Sequence, residues 1–198
     1  MKLILERWQK FLNEAAINDA QRLSIFDFDE TLASAKGYID VLDRDTGEVI
    51  KRITTQEEYD ELKVMNKYDF DFSALDQVTD PQEIESIMGI LRDRIGQSDT
   101  QVFVLTARAG VVEDDIHRYL ATLDPPVDTS SMYVKGLAGG NKGEYVLEIL
   151  KEFPNIKQVE FYDDSVENIK TMLAAQRVAT NIDFKIYHVK DGKIKLIK

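Results

Sequence analysis

The sequence predicts an α/β fold: a Rossmann-like, mostly parallel sheet with helices on both faces and a small hairpin-and-helix insertion after the first strand. Three observations carry this. Short apolar runs at Leu23–Phe26, Val102–Leu105 and Val159–Tyr162 have the near-continuous hydrophobicity of buried parallel strands. Segments of helical periodicity alternate with them, and parallel strands need such crossover connections. Each run ends in polar residues, first Asp27 and Asp29, then Thr106 and Arg108, then Asp163 and Asp164. The carboxyl ends of strands are where open α/β sheets build their sites.

The elements follow in order. Leu3, Ile4, Trp8, Phe11, Leu12 and Ala15 recur at helical spacing, so residues 3–17, within an N-terminal segment 1–20, read as an amphipathic helix. It either packs on the core or docks a partner. Strand one follows at 23–27. Residues 33–80 form the insertion. Tyr38–Asp43 and Glu48–Thr54 flank Arg44-Asp45-Thr46-Gly47 as a hairpin. Thr55-Gln56-Glu57-Glu58 is a capping box that opens a short helix. Asp80-Pro81-Gln82-Glu83 reads as a second helix start, with Pro at the first helical position. Ile84, Ile87, Met88, Leu91 and Ile95 continue it as one apolar face, and strand two follows.

Beyond strand two, Val111–Leu123 reads as a helix, Pro125-Pro126 as a break and Ser131–Val134 as a short strand. Gly136, Gly139, Gly140 and Gly143 make a flexible loop around Lys142. A helix at 144–152 leads to the strand at 159–162, and Val166–Gln176 is again helical. Phe184–Val189 and Lys193–Ile197, joined by Asp191-Gly192, form a closing hairpin. The whole of 1–198 is expected to be one domain carrying its insertion.

Composition narrows the function classes. The chain has 198 residues, 43% hydrophobic and 31% charged, which suits a core-forming soluble domain. It has no cysteine, which excludes disulfides and thiolate metal sites. No apolar run approaches the roughly 20 residues of a membrane span. Glu6, Lys10 and Glu14 interrupt the N-terminus, so no signal peptide is expected and a cytoplasmic location is. The formal net charge of −11 argues against a broad nucleic-acid-binding surface and suits a site that collects a divalent cation.

The strand ends carry the chemistry. Asp27 and Asp29 lie two apart in Asp27-Phe28-Asp29-Glu30-Thr31. Packing does not explain two carboxylates at a buried strand end, and together they need a cation or a shared proton. Thr106 offers a hydroxyl, with a capped helix start as its alternative role. Lys142 stands just ahead of a helical segment; a solvated loop lysine is its alternative, and Lys135 competes for the site. Arg108 has a fork suited to phosphate, and a surface arginine is its alternative.

In this order the residues resemble the haloacid dehalogenase (HAD) superfamily of phosphotransferases. Its motifs are DxDx[TV], then a Ser or Thr at a strand end, then a Lys, then paired acids. The resemblance spans Leu23 to about Ala174, and the order of the motifs is more specific than any one of them. It implies that Asp27 is a nucleophile forming an aspartyl-phosphate, and that Asp29 is the acid and later the base. It implies that Thr106 holds a phosphoryl oxygen and that Lys142 balances charge. Mg²⁺ would be held by Asp27, the backbone carbonyl of Asp29, and Asp163, with Asp164 either a ligand or an orienter of Lys142. Asn168 is read as a plain first-turn residue rather than part of the metal shell. The phosphatase domain of phage polynucleotide kinase has a similarly placed arginine, so Arg108 is also expected to bind substrate.

The expectation is therefore a Mg²⁺-dependent phosphatase, first for nucleotide or nucleic-acid terminal phosphates. A small-metabolite phosphatase or phosphotransferase is second, and a non-catalytic partner-binding protein of the same fold is third. No membrane partner is expected. Three decoys are set aside. Asp69-Phe70-Asp71-Phe72-Ser73 fits DxDx[ST] but has no preceding apolar run, so it is read as aromatic packing with no strand to deliver it. Asp43-Arg44-Asp45-Thr46-Gly47 lacks the later ligands of a calcium loop. Gly139-Gly140-Asn141-Lys142-Gly143 is not a P-loop. His117 and His188 stand alone, so a histidine-metal site is not expected.

Overall fold

The structure, a computed structural model, describes residues 20–198. The expected N-terminal helix at 3–17 lies outside them. The central sheet has six strands: β1 (Arg22–Phe26), β7 (Thr100–Thr106), β8 (Met132–Gly136), β9 (Gln158–Asp163), β10 (Asp183–Lys190) and β11 (Lys193–Leu196). Their order is β11-β10-β9-β1-β7-β8, and every pairing is parallel except the closing β10–β11 hairpin. β1 is flanked by β7 and β9, with Ile25 opposite both Phe103 and Phe161. This topology brings the three polar strand ends to one edge of the sheet.

The pleat sorts the side chains into two cores. Leu23 and Ile25 join Phe103, Phe161, Val146, Ile149 and Met172 on one face. There α4 (Lys142–Glu152) and α5 (Val166–Val178) cover the sheet. Phe26 joins Val102, Val104, Ile87, Met88, Leu91, Ile116 and Leu120 on the other, under α2 (Glu85–Ile95) and α3 (Glu113–Thr122). Glu160 interrupts the apolar run of β9 and is buried. It accepts from Arg94 Nε at 2.6 Å and Ser24 Oγ at 3.2 Å, so the charge is partnered.

The insertion leaves and re-enters the core at one place. β2 (Ala33–Lys36) pairs antiparallel with β6 (Thr79–Glu83), with Ala33 opposite Glu83. This corrects the expected helix start at Asp80-Pro81: the segment is a strand, because its backbone has a ladder partner across the insertion. Helix α2 begins at Glu85 instead, and the insertion, a small flap, extends to residue 83. Beyond the stalk, β3 (Ile39–Asp43), β4 (Val49–Ile53) and β5 (Tyr68–Asp71) form a small sheet in the order β4-β3-β5. Helix α1 (Gln56–Lys63) is capped by Thr55, whose side chain accepts from Glu58 N. Glu58 reaches back to the N–H of Thr54, one residue before the capping-box position.

The decoy at Asp69–Ser73 needs correcting too. Asp69 and Asp71 do lie on a strand, but in the flap sheet. There Asp69 accepts from Arg44 at 3.2 Å and Asp71 from Ser73 N at 2.8 Å. Phe70 and Phe72 pack edge-on to Tyr59, as the aromatic alternation predicts. The carboxylate of Asp43 is occupied by the turn, accepting from the N–H groups of Asp45 and Thr46. Among the described residues no helix is long and apolar enough to cross a membrane.

Candidate functional site

β1 ends at Phe26, and the N–H of Asp27 still donates to Tyr162 O at 2.9 Å, so Asp27 is held at the sheet edge. The chain then turns tightly. The N–H groups of Leu32 and Ala33 both donate to Phe28 O, and Glu30 adopts φ 53°. A left-handed, non-glycine residue inside the DxDxT segment marks backbone held by its surroundings.

Lys142 is the first residue of α4, after the cap Asn141, whose side chain accepts from Glu144 N at 3.1 Å. It is 1% exposed, although lysine is rarely buried without a partner. Its ammonium is bonded to Asp27 Oδ1 and, at 2.8 Å, to Asp163 Oδ2. Burial alone would lower its pKa; Asp163 and Asp27 more than reverse that and keep it charged. Lys135 is not the competitor it could have been, because it pairs with Glu113 at 3.1 Å.

Asp163 ends β9 and is wholly buried. Besides Lys142 it accepts from Ser165 N at 2.9 Å and from the Asn168 amide at 3.1 and 3.2 Å. Asn168 thus has a role the sequence understated: its amide aligns Asp163. Asp164 brings a third carboxylate. Oxygens of Asp27, Asp163 and Asp164 all lie within 4.8 Å of one another. The hydrogen bonds of Lys142 go to Asp27 and Asp163, and Asp164 stands beside them in the three-carboxylate group.

Burial pushes the Asp27 carboxyl up against the pull of Lys142, and Asp163, Asp164 and Asp29 add to the rise. Asp164 is raised to about 7, chiefly by burial and then by Asp163. These are the electrostatics of a cluster short of positive charge. The donors are all oxygens, with no sulfur and no imidazole among them, which fits a hard cation such as Mg²⁺.

Asp29 and Thr106 come to the same edge but make different contacts. The Asp29 carboxylate is not in the ligand group. Both of its oxygens accept from Arg108, from Nε and Nη2 at 2.8 Å each. Thr106 is buried rather than free. Its hydroxyl accepts the N–H of Arg108 at 3.2 Å and lies 3.5 Å from Asp29 Oδ2.

Arg108 corrects the sequence expectation of a substrate grip. It is 4% exposed, and its remaining arm donates to the carbonyls of Leu75 and Gln77 at 3.0 and 2.7 Å. Nor is it the alternative surface arginine. Sequence reasoning missed its partners because they lie in the insertion, over thirty residues away in the chain. It also missed His188, whose Nε2 is 2.8 Å from the backbone oxygen of Asp164 and steadies that loop. A lone histidine within a strand gave no signal of this.

The chain matches no protein-family model and no curated protein sequence. Among solved structures it is similar to the crystal structure of the Legionella pneumophila effector Ceg4 with an N-terminal yeast Hog1p sequence. That likeness covers 89% of this chain and 90% of the other, at 15% identity and a TM-score of 0.50. At that identity the likeness concerns the fold, and it agrees with the α/β architecture described above.

Proposed function

We propose that this protein is a Mg²⁺-dependent phosphomonoesterase of the haloacid dehalogenase type, with Asp27 as nucleophile. The observation that supports this most is the buried Lys142 bridging Asp27 and Asp163 beside a third carboxylate. A scaffold has little use for such a cluster. Among the described residues, Asp27, Asp29, Asp163 and Asp164 face only Lys142 and Arg108 as cationic partners. A divalent cation would complete the balance, held by Asp27, Asp163 and Asp164; it would supply charge stabilisation for a phosphoryl group.

The residues of the chain divide the work. Lys142 holds Asp27 through Oδ1, which leaves Oδ2 for attack on phosphorus. The leaving oxygen takes a proton from Asp29, which later takes one from the water that hydrolyses the aspartyl-phosphate. Asn168 and the N–H of Ser165 keep Asp163 aligned. The substrate is a phosphomonoester. The idea of nucleotide or nucleic-acid ends loses the arginine it leaned on; what still supports an extended substrate is an insertion too small to seal the site as a separate cap domain would.

The test is turnover of an aryl phosphate with Mg²⁺, followed by capture of the phosphorylated Asp27 peptide by mass spectrometry after a rapid quench. Absence of both would sink the proposal and favour a non-catalytic role for the fold.

A further inference from the structure

Arg108 joins two parts of the molecule that the sequence keeps apart. On one side it forks onto Asp29, with Nε to Oδ2 and Nη2 to Oδ1, both at 2.8 Å. On the other, Nη1 donates to Leu75 O at 3.0 Å and Gln77 O at 2.7 Å. Both carbonyls belong to the insertion, one in the 3-10 turn at Ser73–Leu75 and one just past it. Gly37, at the other side of the insertion, closes on the same group. A β-carbon there would stand 2.7 Å from Leu75 Cδ2 and 3.5 Å from Arg108 Nη2. The residue is tied to the core at its backbone, because the main-chain N–H of Arg108 donates to Thr106 Oγ1 at 3.2 Å.

We infer that Arg108 is a positioning residue that makes the aim of Asp29 depend on the seating of the flap. This rests on the phosphatase reading above. In the first step the Asp27 oxygen bonds to phosphorus as the ester P–O bond breaks, and the departing oxygen takes a proton from Asp29. Arg108 sets which way that carboxyl group points, because it holds both of its oxygens. The flap carbonyls hold Arg108 in place while this happens. A rigid, forked guanidinium does this with four directed bonds; a lysine ammonium has no planar fork.

The test is the dependence of kcat/KM on the leaving group, across aryl and alkyl phosphates with Mg²⁺. A dinitrophenolate leaves without a proton, and an alkoxide does not. Arg108→Lys should lose roughly 100-fold on alkyl phosphates, the scale of a misplaced general acid, and little on the dinitrophenyl ester. In an Asp29→Asn background the same substitution should cost nothing further on alkyl phosphates, since the residue acts through Asp29. Gly37→Val, outside the catalytic group, should show the same leaving-group selectivity in weaker form. It stands in if Arg108→Lys does not melt as a folded protein. Equal losses across the series, no loss, or additive losses with Asp29→Asn would overturn the inference. A wild-type protein inactive on the whole series would overturn the phosphatase reading itself and this inference with it. The two failures are distinguishable, because only in the first does the wild type turn over.

Discussion

Gly143 lies so close to Thr171 that a β-carbon on it would be 2.3 Å from the Thr171 carbonyl oxygen. No side chain fits there, so α4 approaches α5 backbone to backbone, with only hydrogen on the near face. Gly143 follows Lys142, and the close contact drives the first turn of α4 into the sheet edge. That is how a lysine at a helix start becomes buried against Asp27 and Asp163.

Gly143→Ala should therefore strike the site through the backbone. The obstacle is a main-chain carbonyl, which cannot rotate away as a flexible side chain would. The cost should be about 1–3 kcal/mol of stability, the usual range for an overpacked contact. Turnover should fall further than the loss of folded protein explains, because Lys142 is displaced. Thermal melts and activity per folded molecule measure the two effects, and a variant with wild-type values in both would mean that α4 accommodates the methyl group freely.

Asp27→Asn should abolish turnover with the fold retained. The amide has nearly the same shape but is far less nucleophilic. Residual activity near wild type would move the nucleophile elsewhere. Asp69 is then no refuge, since it pairs with Arg44 in the flap sheet.

Mg²⁺ should raise the thermal midpoint. A ligand bound only by the folded state stabilises it by about 2.7 kcal/mol at a hundredfold excess over its dissociation constant. Asp163→Asn should remove most of the rise by taking a charge from the three-carboxylate group. An unchanged metal response in that variant would show that the cation binds somewhere else.

The pH dependence follows from Asp164. Its pKa in the folded protein is raised to about 7, from 3.8. Between these values the folded state holds a proton that the unfolded chain releases. Without metal, this group's contribution to stability is complete below about 4 and is lost as pH rises toward 7. Asp164→Asn should remove that loss, so its midpoint relative to wild type should climb between pH 5 and pH 8, values chosen to bracket the shift to about 7. With saturating Mg²⁺ the trend should reverse, since binding needs the deprotonated carboxylate. A difference that stays flat with pH in both conditions would place Asp164 in ordinary solvent.

Local patterning was enough for much of the fold. The apolar runs announced β1, β7 and β9, because a strand buried on both faces has no room for alternation. The acids and the threonine at their ends, and Lys142 at a helix start, were legible for the same reason: polar residues at buried strand ends have no packing role. Tertiary structure decided what no local pattern encodes. The segment Thr79–Glu83 became a strand rather than a helix start because Ala33–Lys36, far away in the chain, offered its backbone a partner. Arg108 turned inward because the flap supplied two carbonyls and the DxDxT turn supplied Asp29, three acceptors that only the folded chain brings to one guanidinium. Hydrophobic periodicity is written along the chain; hydrogen-bond partners between distant segments exist only once the chain has closed on itself.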